Sequence, residues 1–249
     1  MEHVVVDRHD RVALVTLVDR ERRNAMTAAM VNEIVETFDA LEADADVGAV
    51  VLTGEPPAFC SGADVAALGS LAEVQSDGER RSVRSIYEGF LRVLRSSLPT
   101  VAAVNGPAVG AGLNLALACD VRLAAESARF DTRFLRIGLH PGGGHAWMLD
   151  RAVGPQAAAA MVLFGAKIDG ERAAEIGLAW ACHPDAELVE RSIAFAAGAA
   201  SVPKELAAAA GATLSEAPWQ PDFDTAVATE ITRQSWSLGQ GWFRPRSGK

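Results

Sequence analysis

The first half of the chain alternates between short apolar runs and segments with helical spacing. Residues 3–8 and 11–18 are apolar runs separated by a short polar turn, which is typical of paired strands. Residues 27–43 predict a helix that Thr27 caps. Its apolar positions recur every three or four residues, at Met30, Ile34, Phe38 and Leu41.

The middle of the chain continues this alternation. The runs "VGAVVLTGE", "PTVAAVNG", "VRLAAE" and "LAWAC" predict strands. The segments "IYEGFLRVLRSS", "AGLNLALACD", "PQAAAAMVLFG" and "DGERAAEIG" predict helices, and the polar residues 70–82 predict a loop. From residue 186 onward the pattern is helical and rich in alanine. We therefore expect an α/β fold with a core in residues 1–185 and a helical region in residues 186–249.

Composition excludes several classes of protein. The 249 residues are 49% hydrophobic and 22% charged, which is ordinary for a globular protein. The net charge of −9 argues against nucleic-acid or anionic-membrane binding. No run reaches the roughly 18 apolar residues of a membrane span, and the charged N-terminus is not a signal peptide. Cys60, Cys119 and Cys182 form no CxxC pair, so we expect reduced, buried thiols in a cytoplasmic protein.

Two glycine-containing turns stand out, each between a predicted strand and a predicted helix. One is "FCSGAD", residues 59–64, and the other opens "NGPAVGAGLNLALACD", residues 105–120. Glycine allows a positive φ and a close backbone approach, and the first turn of a helix has unpaired N–H groups. If both turns face one point, their amides form an oxyanion hole. The alternative is a pair of ordinary strand-to-helix connections.

Signatures of other site types are missing from the sequence. The segment "GAGLNL" lacks the third glycine of a dinucleotide-binding turn, and no GxxxxGK[ST] segment is present. No His, Cys and Asp residues have metal-ligand spacing. We therefore expect neither a metal nor a bound nucleotide cofactor.

Four segments together resemble one known family. The segments "RERRNAM", "AFCSGADVAAL", "VAAVNGPAVGAGLNLALACDVRLAAESARF" and "IGLHPGGG" follow the order and spacing of the crotonase, or enoyl-CoA hydratase/isomerase, superfamily. The resemblance covers residues 4–185. It implies a crotonase-like spiral of ββα units that binds acyl-CoA thioesters, with coenzyme A as part of the substrate. It also implies a C-terminal helical region that assembles a homotrimer or a dimer of trimers.

The resemblance also assigns the residues of the ligand site. The backbone N–H groups of Ala63 and Ala111 would bind the thioester oxygen and stabilise an enolate. The implied coenzyme A contacts are Arg22, Arg23, Ala25, Ser61, Gly62, Asp64, Val65 and Gly110. The arginines are suited to the phosphates, although they could equally be solvated loop residues. In the tail, Arg244, Arg246 and Lys249 could reach the coenzyme A of a neighbouring subunit.

The acid/base positions of the family carry unusual residues here. The two glutamates of a hydratase correspond to Asn114 and Phe134, and the aspartate of some isomerases corresponds to Gly142. An amide and a phenyl ring do not exchange protons near neutral pH, so standard hydration is not expected. Asn114 could orient a water, bind a substrate group or cap the first turn of its helix. Phe134 is expected to line the acyl pocket.

His145, at the start of a predicted helix, is the best remaining acid/base candidate. A helix N-terminus lowers the pKa of a histidine and favours a neutral base; the alternative is a structural histidine bonded to the loop. We expect structural roles for His140 and Asp120, a helix cap at Asp64 and a weaker catalytic candidate at Asp131.

Three functions fit these residues. The first is an acyl-CoA enzyme that uses His145 for isomerisation or thioester hydrolysis. The second is a non-catalytic acyl-CoA-binding protein. The third is a serine peptidase on a related spiral fold, with Ser61 as nucleophile and His145 as base. The third is disfavoured because Ser61 lies on the predicted oxyanion turn and not in a strained nucleophile elbow.

Overall fold

The computed structural model describes residues 3–64 and 87–243. The strands are β1 Val4–His9, β2 Val12–Leu17, β3 Ala49–Gly54, β4 Thr100–Val104, β5 Pro107–Val109, β6 Val121–Ala125, β7 Arg129–Asp131, β8 Ile168–Asp169 and β9 Ala181–His183. The helices are α1 Ala28–Ala43, α2 at residues 87–94, α3 Ala111–Ala118, α4 His145–Val162, α5 Gly170–Glu175, α6 Leu188–Ala200, α7 Lys204–Glu216 and α8 Phe223–Gly239.

The predicted loop at 70–82 and the candidates Val65, Arg244, Arg246 and Lys249 lie outside the described residues.

Two sheets organise the described chain. The larger has the strand order β1-β2-β3-β4-β6-β9, in which only the β1–β2 pair is antiparallel. The smaller has the order β5-β7-β8. Parallel strands place their carboxyl ends at one edge, so the turns that follow β3 and β4 leave the sheet side by side. Asn105 joins them, because its Nδ2 donates to Gly54 O at 2.6 Å.

The N-terminal pattern is confirmed by the structure. Thr27 caps α1, and its Oγ1 accepts a hydrogen bond from Met30 N at 3.2 Å. The predicted apolar stripe of α1 is buried, and every residue of β3 is buried, as expected for a strand covered on both faces. The predicted α/β architecture is therefore confirmed.

Some elements differ from the sequence prediction. The three-stranded sheet was not predicted, because strands of two or three residues are too short to show an alternating pattern. The strand predicted in "LAWAC" is displaced to Ala181–His183, and Trp180 is 73% exposed. Two helices were predicted within 145–164, and the structure joins them as α4 with a break at Gly154, where φ is 75°.

The helical C-terminal region begins by packing on the sheet. Helix α6 buries Leu188, Ala196 and Ala200 against the core. Helices α7 and α8, which are described in full, bury none of their residues. Leu214 and Phe223 are more than three-quarters exposed there. Among the helices within the described ranges, none combines the length and apolar character needed to cross a bilayer.

Two of the three cysteines are buried as the sequence predicts, and the third is less buried than expected. Cys60 and Cys119 are buried, Cys182 is partly buried, and all three are free thiols. Burial raises the pKa of both Cys60 and Cys119 to about 12, so these thiols stay protonated at neutral pH and are unreactive.

Candidate active site

The turn after β3 and the approach to α3 are joined by backbone hydrogen bonds. Cys60 N donates to Pro107 O at 3.1 Å, and Val109 N donates to Cys60 O at 3.0 Å. Cys60 and Ala108 form a parallel bridge. The first glycine-containing turn is therefore attached to β5, the strand that leads into the second turn.

Glycines make this contact possible. A β-carbon at Gly112 would lie 2.1 Å from Cys60 O, well inside contact distance. Gly62 has a φ of +103°, and a β-carbon there would lie 2.6 Å from Val109 O. The two turns thus lie directly against each other, at a separation that side chains at 62 and 112 would prevent.

The amides of Ala63 and Ala111 lie in these turns. Ala111 is the first residue of α3, where N–H groups lack an intrahelical acceptor. Among the described residues, neither Ala63 N–H nor Ala111 N–H has a hydrogen-bond acceptor. A β-carbon on Gly62, next to Ala63, would lie 3.6 Å from Ala111 N. Two unpaired donors therefore come from adjacent pieces of backbone.

The Asn114 side chain connects α3 to the loop before α4. It is 1% exposed. Its Nδ2 donates to Gly142 O at 3.0 Å, and its Oδ1 lies 2.6 Å from His145 Nδ1. Each of these atoms has a protein partner and neither accepts from a backbone N–H of the first turn, so the capping role is not observed, while the role in orienting water or substrate stays a prediction. The carbonyl of Gly142 can only accept, which fixes the amide orientation and leaves Oδ1 to accept from the histidine.

His145 is consequently held in one tautomer. Its Nδ1 carries the proton that Asn114 Oδ1 accepts, so Nε2 presents a lone pair. The residue is 1% exposed, and Nε2 is the buried side-chain atom without a hydrogen-bond partner in the described part of the chain. Burial lowers the pKa of His145 to about 4. The predicted neutral form is thus confirmed in direction, with burial as the cause in place of the helix N-terminus.

Phe134 lies between the second glycine turn and His145. It begins the short 3-10 helix Phe134–Ile137, and its ring meets the His145 imidazole edge-on with centroids 4.9 Å apart. A β-carbon at Gly110 would lie 3.9 Å from Phe134 Cζ. The position of the second hydratase glutamate therefore holds an apolar ring that packs on the histidine.

Tyr87 is a site residue that the sequence analysis missed. A β-carbon at Gly142 would lie 2.3 Å from Tyr87 Oη, and one at Gly143 would lie 2.4 Å from Phe90 Cζ. An aspartate at 142 therefore has no room while Tyr87 is in place. Tyr87 and Phe90 are one turn apart on α2, and this spacing was visible in the sequence, but it does not reveal which loop they face.

The proposed coenzyme A residues lie beside the first turn. Arg22 and Arg23 are exposed, and Ala25 is buried. Ser61 ties the arginine loop to the glycine turn, since its Oγ donates to Arg22 O at 2.8 Å and its N donates to Arg23 O at 3.0 Å. No hydrogen bond joins Ser61 to His145 in the described structure, so the peptidase arrangement is not supported.

Two of the remaining polar candidates, Asp120 and Asp131, make contacts within the fold. Asp120 Oδ2 accepts from Thr100 N at 2.7 Å and links α3 to β4. Asp131 pairs with Arg136, and His140 is exposed. The helix expected after Asp64 lies outside the described residues. Within the residues described, no cluster of three or more His, Cys, Asp or Glu side chains could hold a metal.

Comparison with known proteins identifies the family. A family model described as enoyl-CoA hydratase/isomerase matches residues 7–233. The chain belongs to the enoyl-CoA hydratase/isomerase family.

Members of this family resemble the chain in sequence and structure. A Mycobacterium tuberculosis H37Rv protein described as a probable enoyl-CoA hydratase is 51% identical over 209 residues, which cover 84% of this chain and 79% of that protein. The 2,3-dehydroadipyl-CoA hydratase of Escherichia coli K12 is 35% identical over 196 residues, which cover 79% of this chain and 75% of that one. A Thermobifida fusca YX structure in complex with acetoacetyl-CoA has a TM-score of 0.85 and 32% identity, and the match covers 96% of both chains. These similarities confirm the crotonase fold.

Substitution of Gly112 tests the contact between the two glycine turns. We expect Gly112→Ala to lower the free energy of unfolding by about 1–3 kcal/mol, because the added methyl group has no space beside Cys60 O. Urea denaturation measures the loss. Gly211→Ala is the matched control, since it also lies in a helix but has nothing within 4 Å of the added carbon. It should be neutral or slightly stabilising; equal effects of the two substitutions would contradict the proposed close contact.

The burial of His145 predicts a specific dependence of stability on pH. The pKa is about 4 in the folded protein and about 6.5 in an unfolded chain. Between these values only the unfolded state binds the proton, so stability falls as the pH drops from about 6.5 towards 4. The full loss is about 3 kcal/mol.

Urea denaturation at several pH values, compared between the wild type and His145→Gln, isolates this contribution from that of the carboxyl groups. The wild type should lose more stability on acidification than the variant does. The exposed His140→Gln variant should retain the wild-type slope. Parallel curves for the wild type and His145→Gln would show that His145 titrates alike in the folded and unfolded states.

Proposed function

We propose that this protein binds acyl-CoA thioesters and transfers a proton at the carbon next to the thioester carbonyl, with His145 Nε2 as the base. The observation that carries the proposal is the state of this nitrogen. It is buried, it has no hydrogen-bond partner among the described residues, and Asn114 holds the ring in the tautomer that leaves it unprotonated. A general base needs this arrangement of an available lone pair and a fixed ring orientation.

The amides of Ala63 and Ala111 support the second requirement of the reaction, which is stabilisation of the enolate. Removal of the α-proton places negative charge on the thioester oxygen. Two unpaired backbone donors on adjacent turns are suited to bind that oxygen, and the loss of one such donor costs about 3–4 kcal/mol of barrier in comparable sites. The positive φ of Gly62 and of Gly110 gives these turns their shape.

Proton transfer fits this site better than hydration does. The amide of Asn114 and the ring of Phe134 cannot activate water or protonate a carbon. The Asn114 side chain also makes one hydrogen bond at each polar atom, to Gly142 and to His145. We therefore assign an isomerase type of reaction, in which an acyl double bond moves through an enolate.

The thioester class is supported by the arginine loop and by the family. Arg22 and Arg23 are exposed next to Ser61, where they could pair with the phosphates of coenzyme A. Ala25, Gly62, Asp64 and Gly110 complete the proposed contacts. The Thermobifida fusca relative in complex with acetoacetyl-CoA supports the same class of ligand. Coenzyme A is then a part of the substrate.

We also propose a homotrimer or a dimer of trimers. Helices α7 and α8 leave large apolar side chains in solvent, which is unusual for a stable monomer surface. The most exposed in these helices and the turn between them are Leu214, Trp219 and Phe223. Burial of these side chains against further copies of the chain would account for the apolar surface.

Deuterium exchange tests the proposed proton transfer directly. In deuterated water, the wild type should introduce deuterium at the α-carbon of butyryl-CoA, 3-butenoyl-CoA or 3-hydroxybutyryl-CoA, as followed by mass spectrometry. His145→Gln should lower the rate by about 100- to 10,000-fold, the usual contribution of a general base. The rate should fall at acidic pH as His145 becomes protonated, with a midpoint near its pKa of about 4.

The exposed His140→Gln variant in the same loop should retain the wild-type rate. Calorimetry on both variants establishes whether ligand binding persists. Tight binding of all three thioesters with no exchange by the wild type would overturn the catalytic assignment and favour an acyl-CoA-binding protein. Exchange that survives His145→Gln would remove His145 from the mechanism.

A further inference from the structure

In this conformation the proposed base is closed off from any ligand. His145 is 1% exposed, and its Nε2 is buried without a hydrogen-bond partner among the described residues. A base takes a proton only from a group within about 3 Å of it. An acyl carbon can therefore reach Nε2 only after a part of the chain beside the imidazole has moved aside.

The ring of Phe134 lies against the imidazole on the side of the second glycine turn. It meets His145 edge-on with centroids 4.9 Å apart, and its Cζ would lie 3.9 Å from a β-carbon on Gly110. Gly110 directly precedes Ala111, whose N–H is one of the two proposed oxyanion donors. Phe134 therefore occupies space between the turn that would bind the thioester oxygen and the base that would take the proton.

Phe134 belongs to a short segment that is weakly attached to the rest of the protein. The 3-10 helix Phe134–Ile137 buries none of its residues, whereas α3 buries all eight of its own. Among the described residues, every backbone hydrogen bond of residues 134–139 has its partner within residues 132–139. The ion pair of Arg136 reaches only to Asp131. Segments with few buried contacts and only local hydrogen bonds open at a low cost in free energy.

Both ends of this segment have a backbone conformation suited to a hinge. Arg133 has a φ of 57°, and Gly138 has a φ of 74°. A positive φ is uncommon for a residue other than glycine, and arginine adopts it at a cost in free energy. Rotation of the backbone at positions 133 and 138 would release this strain and swing the residues between them as a unit.

We infer that residues 133–139, which we call the gate, move about Arg133 and Gly138 to uncover His145 Nε2 when an acyl-CoA thioester enters. This inference rests on the proposed function, because the thioester is the ligand that the gate admits. In the closed gate Phe134 lies on the imidazole, and in the open gate the acyl group takes its place. An apolar ring at the edge of the site also keeps bulk water away from an enolate, which suits proton transfer and not hydration.

Chemical labelling of histidine measures how often the gate is open. Diethyl pyrocarbonate acylates a neutral imidazole nitrogen that it can reach, and fragmentation in the mass spectrometer distinguishes His145 from His140. At pH 7 the exposed His140 should react readily. His145 should react about 10- to 1,000-fold more slowly, as expected for an open state populated at about 10% to 0.1%. Phe134→Ala removes the ring and should raise the rate at His145 by at least about 10-fold, with little change at His140.

A second variant changes the hinge and leaves the ring in place. Gly138→Ala puts a side chain on a positive φ, where nothing lies within 4 Å of the added carbon. The strain should favour the open gate and raise the rate at His145 by about 5- to 30-fold. Gly165→Ala is the matched control, because it also has a positive φ and open space for the added carbon but lies outside the gate. It should strain the fold equally and leave the rate at His145 at the wild-type value.

The inference is overturned by any of the following results. A wild-type rate at His145 equal to that at His140 would show that the base is not closed off, and no acceleration by Phe134→Ala would show that another group covers it. No acceleration by Gly138→Ala would make the ring a fixed cover. Equal acceleration by Gly138→Ala and Gly165→Ala would show that the reagent reaches His145 by global unfolding. None of these rates depends on turnover, so the gate can fail while deuterium exchange by His145 stands, and the reverse.

Discussion

The arrangement of the site depends on the close approach of the Cys60 carbonyl to Gly112. The two backbone segments are held by the hydrogen bonds that Cys60 makes with Pro107 and Val109, and a β-carbon at position 112 would lie 2.1 Å from Cys60 O. This contact brings the end of β3 to the beginning of α3. It therefore sets where α3 starts and in which direction it points. The position of Asn114, one turn further along, follows from that direction.

Asn114 links this backbone contact to the orientation of the His145 ring. Its amide is buried, so each of its polar atoms must find a partner or be costly to the fold. Gly142 O takes the amide hydrogen and His145 Nδ1 supplies a proton to the oxygen. Among the buried side-chain nitrogen and oxygen atoms of the described structure, His145 Nε2 is the one left without a partner. A buried polar atom without a partner is costly to a fold, and this cost is the ground for proposing that a ligand meets Nε2.

The sequence predicted local elements well and long-range pairs poorly. The stripe of α1 and its Thr27 cap follow from spacing alone, whereas the short strands β5, β7 and β8 carry no periodic signal. Family resemblance located Asn114 and Phe134, but Asn114 bonds to Gly142, 28 residues away, and no sequence pattern encodes that pair. Tyr87 was missed for the same reason: the direction of a side chain depends on how its helix packs. The low pKa of His145 was expected from a helix terminus but arises from burial, a tertiary property.

The uncharged character of the site has a consequence for the proposed reaction. Asn114, His145 and Tyr87 are neutral at physiological pH, and the family carboxylates are missing from positions 114, 134 and 142. A carboxylate there would already carry negative charge, which would repel an enolate formed nearby. With a neutral base, proton transfer creates an imidazolium and an enolate together. In a buried site of low dielectric this pair attracts strongly, and under the proposed function the unpaired amides of Ala63 and Ala111 would stabilise its negative member. The loss of the glutamates is therefore compatible with catalysis, provided that the chemistry is proton transfer and not the addition of water.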